Sequence, residues 1–176
     1  TLTLTGNNTY SGGTTVTGGL VNFATLGNFG TGNVTLNGGG VQWAAGTSTD
    51  ISVRLAAFGV NGGTLDTNGN NVTLANGISG PGSLTKAGDG VLTLAGNNTY
   101  TGGTFVTGGS IALTGSIAGP VGVSDGLFKA NGTIGGTVTV SADGTLGGSG
   151  TVGGIVVNGG TVAPGNSIGT LTVTGN

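Results

Sequence analysis

Residues 2–21, LTLTGNNTYSGGTTVTGGLV, recur at 92–111 as LTLAGNNTYTGGTFVTGGSI, without a gap and with 15 of 20 positions identical. Each copy holds a short alternating run, an Asn-Asn-Thr-Tyr corner, a double glycine, a second alternating run and another double glycine. Alternation switches side chains between two faces at every residue, which is the period of a β-strand. A β–turn–β unit written twice points to like units stacked on one another, since one such unit cannot bury its own apolar face.

Of the 176 residues, 44 are glycine and three are proline, yet glycine has no every-third-residue rhythm. Collagen and polyproline structures are therefore excluded. Mean hydropathy is positive at +0.30 and the chain is rich in Thr and Val, unlike a disordered segment. There is no Cys, Met or His, which removes disulfides, thiolate metal sites and the usual imidazole base. Three basic and five acidic side chains leave a net charge of -2, too little positive charge for a nucleic-acid groove. Apolar runs are too short for a transmembrane helix. The sequence lacks an initiating Met and reads as an excerpt of a longer chain.

The C-terminal half sets the period. Val123, Val140 and Val157 are each 17 apart, Leu146 and Val162 are 16 apart, as are Val152 and Ile168, and Ile134 and Val152 are 18 apart. Brief apolar contacts recurring this way predict an all-β coil wound around a small prism-shaped core. A single β-solenoid over 1–176 would then hold about ten coils of roughly 16–19 residues, in a rod about 50 Å long. Residues 41–60 are the least regular. Trp43, Ile51, Val53, Leu55 and Phe58 are expected to fill a wider rung there, and alternation puts Arg54 on the outer face. A short helical turn would fit at 22–26.

SLTKAGDGVLTLAGNNTYTGGTFVTGGSI, residues 83–111, resembles the passenger-associated transport repeat (autotransporter-associated β-strand repeat) of bacterial autotransporters. The resemblance rests on Leu84, Lys86, Gly88, Gly90, Leu92–Leu94, the corner from Gly96 to Tyr100, Gly102-Gly103-Thr104 and Val106. Residues 2–21 carry the same pattern without the leading LTKAGDG, with Thr15 in place of Phe105 and Leu20 in place of Ser110. VAPGNSIGTLTVTG at 162–175 is a second passage similar to such passengers. The resemblance implies a right-handed parallel β-helix on a Gram-negative cell surface, or secreted from it, and a repeat that assists export.

The sharpest candidate positions are the two corners: Asn7, Asn8, Tyr10, Gly12 and Gly13, and Asn97, Asn98, Tyr100, Gly102 and Gly103. Asparagine can close a turn on its own backbone, and tyrosine can cover a corner or pack between coils. These are read as structural corners, with a shallow glycan-binding edge as the functional reading. The Asn-x-Thr triplets at 7, 33, 71 and 97 are expected by chance in such a composition. Asp50, Asp66, Asp89, Asp125 and Asp143 are scattered, without the carboxyl pair that glycosidases need. Asp125-Gly126 and Asp143-Gly144 alone approach the register of a calcium β-roll, and the intervening ligands are missing. Gly165-Asn166-Ser167 has no lysine nearby and reads as a turn.

The expected function is a non-catalytic extracellular stalk or spacer that supports display, export or adhesion. Alternatives are an adhesin that binds carbohydrate or a host surface through a strip including Trp43 and Phe58, and a self-stacking fibre subunit. Expected partners are neighbouring coils or repeats of the parent chain, a second copy head-to-tail, and surface glycans. No catalytic residue, metal, cofactor, nucleic acid or membrane span is expected.

Overall fold

The computed structural model describes residues 1–165 and 169–175. Every ladder between named strands is parallel, and together they form a β-solenoid of about nine turns. One column of inward residues runs its length: Leu2, Val21, Val41, Leu65, Lys86, Val106, Val123, Val140 and Val157 are successive register partners. Its spacing is 19, 20, 24, 21 and 20 residues, then 17, 17 and 17. The 17-residue coil read from the C-terminal valines is correct there. The first five turns are longer, which is why there are nine rather than ten.

A second column stacks Val72, Leu92, Ile111, Phe128, Leu146 and Val162. A third stacks Asn98, Ile117, Ile134, Val152 and Val173. Val152 thus pairs with Val173; the alternative spacing to Ile168 falls outside the described residues. Columns of Val, Ile and Leu suit this core because β-branched side chains favour extended backbone and fill a narrow interior.

The two halves wrap their corners differently. From residue 104 onward long strands carry the chain round, Thr104–Leu113, Val121–Ala130, Thr133–Gly148 and Thr151–Asn158, with register shifts at the bends. Such bulges bend a strand while keeping most of its ladder. Before residue 104 the strands hold two to four residues and loops turn the corners. Leu20–Phe23 is strand, and the helical turn lies at Leu26–Phe29, later than the sequence suggests.

The 24-residue turn is the widest. Trp43 and Phe58 are buried, with Ile51 beside them in the core. The Phe23 ring lies 4.7 Å from Phe29 and 5.1 Å from Trp43. Trp43 Nε1 donates to the Thr49 carbonyl at 2.9 Å, which satisfies the one polar atom of a buried indole. Aromatic bulk replaces aliphatic columns here, and the extra residues pass around it.

The two sequence copies do not stand above one another. Leu2 belongs to the column of Lys86, four turns away, whereas Leu92 stacks on Val72 and Ile111 in the next column. An offset of 90 residues is therefore four turns and one further face. The same unit has been set into the solenoid in two orientations.

Candidate functional site: the repeated corner and the outer face

Both corners are built from the same contacts. Tyr10 and Thr14 share a hydroxyl hydrogen bond of 2.8 Å, and Tyr100 and Thr104 one of 2.5 Å. Asn8 Nδ2 donates to the Asn28 carbonyl at 2.7 Å, in the next turn. Asn98 does more: Nδ2 donates to the carbonyls of Gly96 and Ser116, each at 3.0 Å, and Oδ1 accepts from the Ile78 amide at 3.0 Å. One side chain thereby satisfies backbone groups of three turns, which matters because an unpaired buried group costs about 1–3 kcal/mol. Asn97 Oδ1 bonds the Ser116 hydroxyl.

Gly13 and Gly103 hold φ of 79° and 87°, and a Cβ at Gly13 would stand 2.8 Å from the Asn33 carbonyl oxygen. The bend needs glycine on both counts. Gly12 and Gly102 complete the double-glycine steps, and Asn7 lies on the exposed side of its corner. Tyr10 is 42% exposed, while Tyr100 is fully buried with its ring 6.1 Å from Phe58. Burial drives the Tyr100 phenol well above its ordinary range, with the Thr104 hydrogen bond opposing.

Two cations are used by the fold itself. Lys86 occupies a core column, fully buried, and its Nζ donates to the carbonyls of Ala87 at 2.9 Å, Gly88 at 2.6 Å and Gly108 at 3.2 Å. Desolvation lowers it to about 8, opposed by Asp66 and Asp89. In the sequence this lysine stands out only as one of the residues that carry the repeat resemblance. Its alternation with Leu84 placed it inside, a signal outweighed by its charge.

Arg54 is not displayed outward as alternation suggested. Its segment is a turn, and the guanidinium folds back to donate to carbonyls of the preceding turn: Leu26 at 3.0 Å, Gly30 at 2.9 Å, Phe29 at 3.3 Å, and Gly32 through Nε at 2.9 Å. A planar fork of donors suits a row of carbonyls that a loop leaves unpaired.

Two of the five carboxylates, Asp50 and Asp66, are occupied with backbone and side-chain amides. Asp50 accepts from the Ser52 amide at 2.8 Å and the Ala75 amide at 3.1 Å. Asp66 accepts from Gln42 at 2.7 Å and the Asn68 amide at 2.9 Å, and Asn22 donates to Gln42 at 3.0 Å, giving a polar ladder across three turns. Asp125 and Asp143 are register partners and exposed. Among the described residues no three His, Cys, Asp or Glu converge as a metal-binding group. The Asn166-Ser167 part of the proline-glycine turn lies outside the described residues.

Trp43 and Phe58, expected to contribute to a surface strip, are core residues, so that strip does not form. Besides Tyr10 at its corner, the aromatic side chain that reaches the surface is Phe105, 45% exposed. It overlooks a shallow concavity of about 320 Å3 lined by Pro120, Gly122, Ser124, Thr139 and Ser141 among others. In the sequence Phe105 stands out only as the counterpart of Thr15 in the other repeat. That difference was the available signal.

The Passenger-associated-transport-repeat family matches residues 1–22 and 84–113, the two corners and the strands around them. The Adhesin BmaC autotransporter of Brucella suis biovar 1 (strain 1330) is 37% identical over 113 residues, covering 57% of this chain and 3% of that protein. This chain thus spans a small fraction of the relative's length. No solved structure matches. Within the described residues no helix is long and apolar enough to cross a membrane. The chain thus carries two copies of this repeat, set in a parallel β-solenoid, and over part of its length is similar to an autotransporter adhesin.

Proposed function

We propose that this segment is a non-catalytic stalk or spacer on a Gram-negative surface, holding other parts of its parent chain away from the membrane during display, export or adhesion. One observation carries the reading: a core column unbroken over nine register partners from Leu2 to Val157. Nine strands spaced by about 4.8 Å give a rod of about 40 Å. Each turn contacts its neighbours, so length is gained by adding turns without redesigning the core. The two ends expose apolar side chains, Leu2 on one and Val157 and Val173 on the other, as surfaces for adjoining coils of the parent chain or a second copy.

Electron microscopy of the purified segment over a concentration series is the test. Rods of fixed length near 40 Å support the spacer, and a tandem duplication should give rods of about twice that length. A globular particle, or a duplication that fails to lengthen it, would overturn the reading. Concentration-dependent fibres would instead make head-to-tail assembly its function. A second reading, adhesion through a saccharide-binding outer face, is favoured by the exposed ring of Phe105.

A further inference from the structure

We propose that the outer face around Phe105 is a binding site for a neutral saccharide, whose pyranose ring stacks on the phenyl ring. The proposal rests on the adhesive reading and names its ligand. The repeat itself supplies the control. The other copy places Thr15 where this one places Phe105, and both outward residues sit in the same strand of the same unit. The repeat unit itself therefore does not need an aromatic ring at this position. Its neighbours in the ladder differ in the same sense. Thr15 pairs with Thr35, whereas Phe105 lies between Thr85 and Gly122.

Gly122 leaves the space that the ring occupies. A Cβ on it would stand 3.1 Å from Phe105 Cδ1 and 3.5 Å from Cε1, so the ring rests along the sheet over the glycine. Pro120 forms one side of the concavity, and Ser124, Thr139 and Ser141 supply hydroxyls. Ser124 Oγ donates to the Val106 carbonyl at 3.1 Å, which leaves its lone pairs to accept, and the Thr139 and Ser141 hydroxyls have no partner among the described residues. No lining residue carries a charge.

These features select the ligand chemistry. Thr104–Leu113 is paired on both sides, so an extended peptide finds no free strand edge to join. An acidic ligand finds no cation in the lining. An aromatic face bordered by unpaired hydroxyls matches a pyranose, which is apolar on one face and ringed by hydroxyl groups. Rings with equatorial hydroxyls present the flattest apolar face.

The experiment titrates the segment with cellotetraose and chitotetraose, and with a sialylated tetrasaccharide as the acidic contrast, following by NMR the backbone amide signals of residues 105, 122 and 124, which parent and variants share. Saturable shifts with a neutral probe are expected, weakened about tenfold or more in Phe105→Thr, which installs the residue of the other repeat. Gly122→Val keeps the ring but displaces it, and should weaken binding as well. Thermal unfolding and rod length of both variants should match the parent, so a negative result leaves the spacer reading standing. The proposal is overturned if no neutral probe saturates, if Phe105→Thr binds equally, or if the sialylated probe alone binds. It is also overturned if sedimentation shows Phe105-dependent self-association, which would make a second copy the occupant.

Discussion

At the scale of single residues, the solenoid places polar and charged groups inside when they can serve carbonyls the coil leaves unpaired. Lys86 is the clearest case, because the column position it fills is Leu65 in the turn before and Val106 in the turn after. Its stem packs as an aliphatic side chain while the ammonium closes a corner. The consequence is a defined pH dependence. Lys86 titrates near 8 in the folded chain, below its ordinary value of 10.5, so the unfolded chain binds more protons between those limits. Stability therefore rises as pH increases from 8 towards 10.5, by on the order of 1–3 kcal/mol. Tyr100 acts oppositely: its folded phenol keeps its proton above pH 10, where the unfolded phenol ionises, so stability falls there. Circular-dichroism melts should show Tm climbing from pH 8 to about 10 and then turning over. Lys86→Met should flatten the climb, and Tyr100→Phe should weaken the fall. A Lys86→Met profile that still climbs would remove Lys86 as the source.

At the scale of the element, the wide turn between Val41 and Leu65 depends on aromatic packing rather than on strand pairing. Trp43 is buried against Phe23 and anchors the loop through Thr49. Trp43→Ala should cost about 3–5 kcal/mol, read as a lowered denaturant midpoint. Ile155→Ala, at a half-buried position near the last turns, should cost less than Trp43→Ala. Equal losses would show that the aromatic rung has no special weight. This turn also marks where the sequence stopped being legible. From Val106 to Val157 each coil repeats at 17 residues and its valines announce their stacking. Between 43 and 60 no period exists to read. The chain follows a local aromatic cluster, and Arg54 takes its direction from carbonyls 22 to 28 residues earlier. Alternation, a rule for strands, failed at Arg54 because its segment is not one. Phe105 and Lys86 were both visible in the sequence, but each needed the register to show what lay beside it.

At the scale of the whole molecule, a stack of contacts between neighbours makes length and stability separable from chemistry on the outer face. The regular C-terminal turns allow this to be tested by deletion. Removing residues 124–140 takes out one 17-residue turn and joins Val123 to Ser141, so that Val123 replaces Val140 beneath Val157. The serine after Val123 is replaced by the serine after Val140, and every remaining column keeps its inward residues. The shortened chain should fold into a rod about 5 Å shorter, with a denaturant slope smaller by roughly one part in nine. Removing residues 124–132 instead carries the chain only part of the way round. Strands after the cut would then meet the wrong column, and the ladder from Val123 to Val140 could not form. That deletion should lower Tm far more than the longer one, although it removes fewer residues. A chain held by nearest-neighbour turns requires the larger excision to be the milder one, and the reverse order of melting temperatures would rule out the in-register stack as its source of stability.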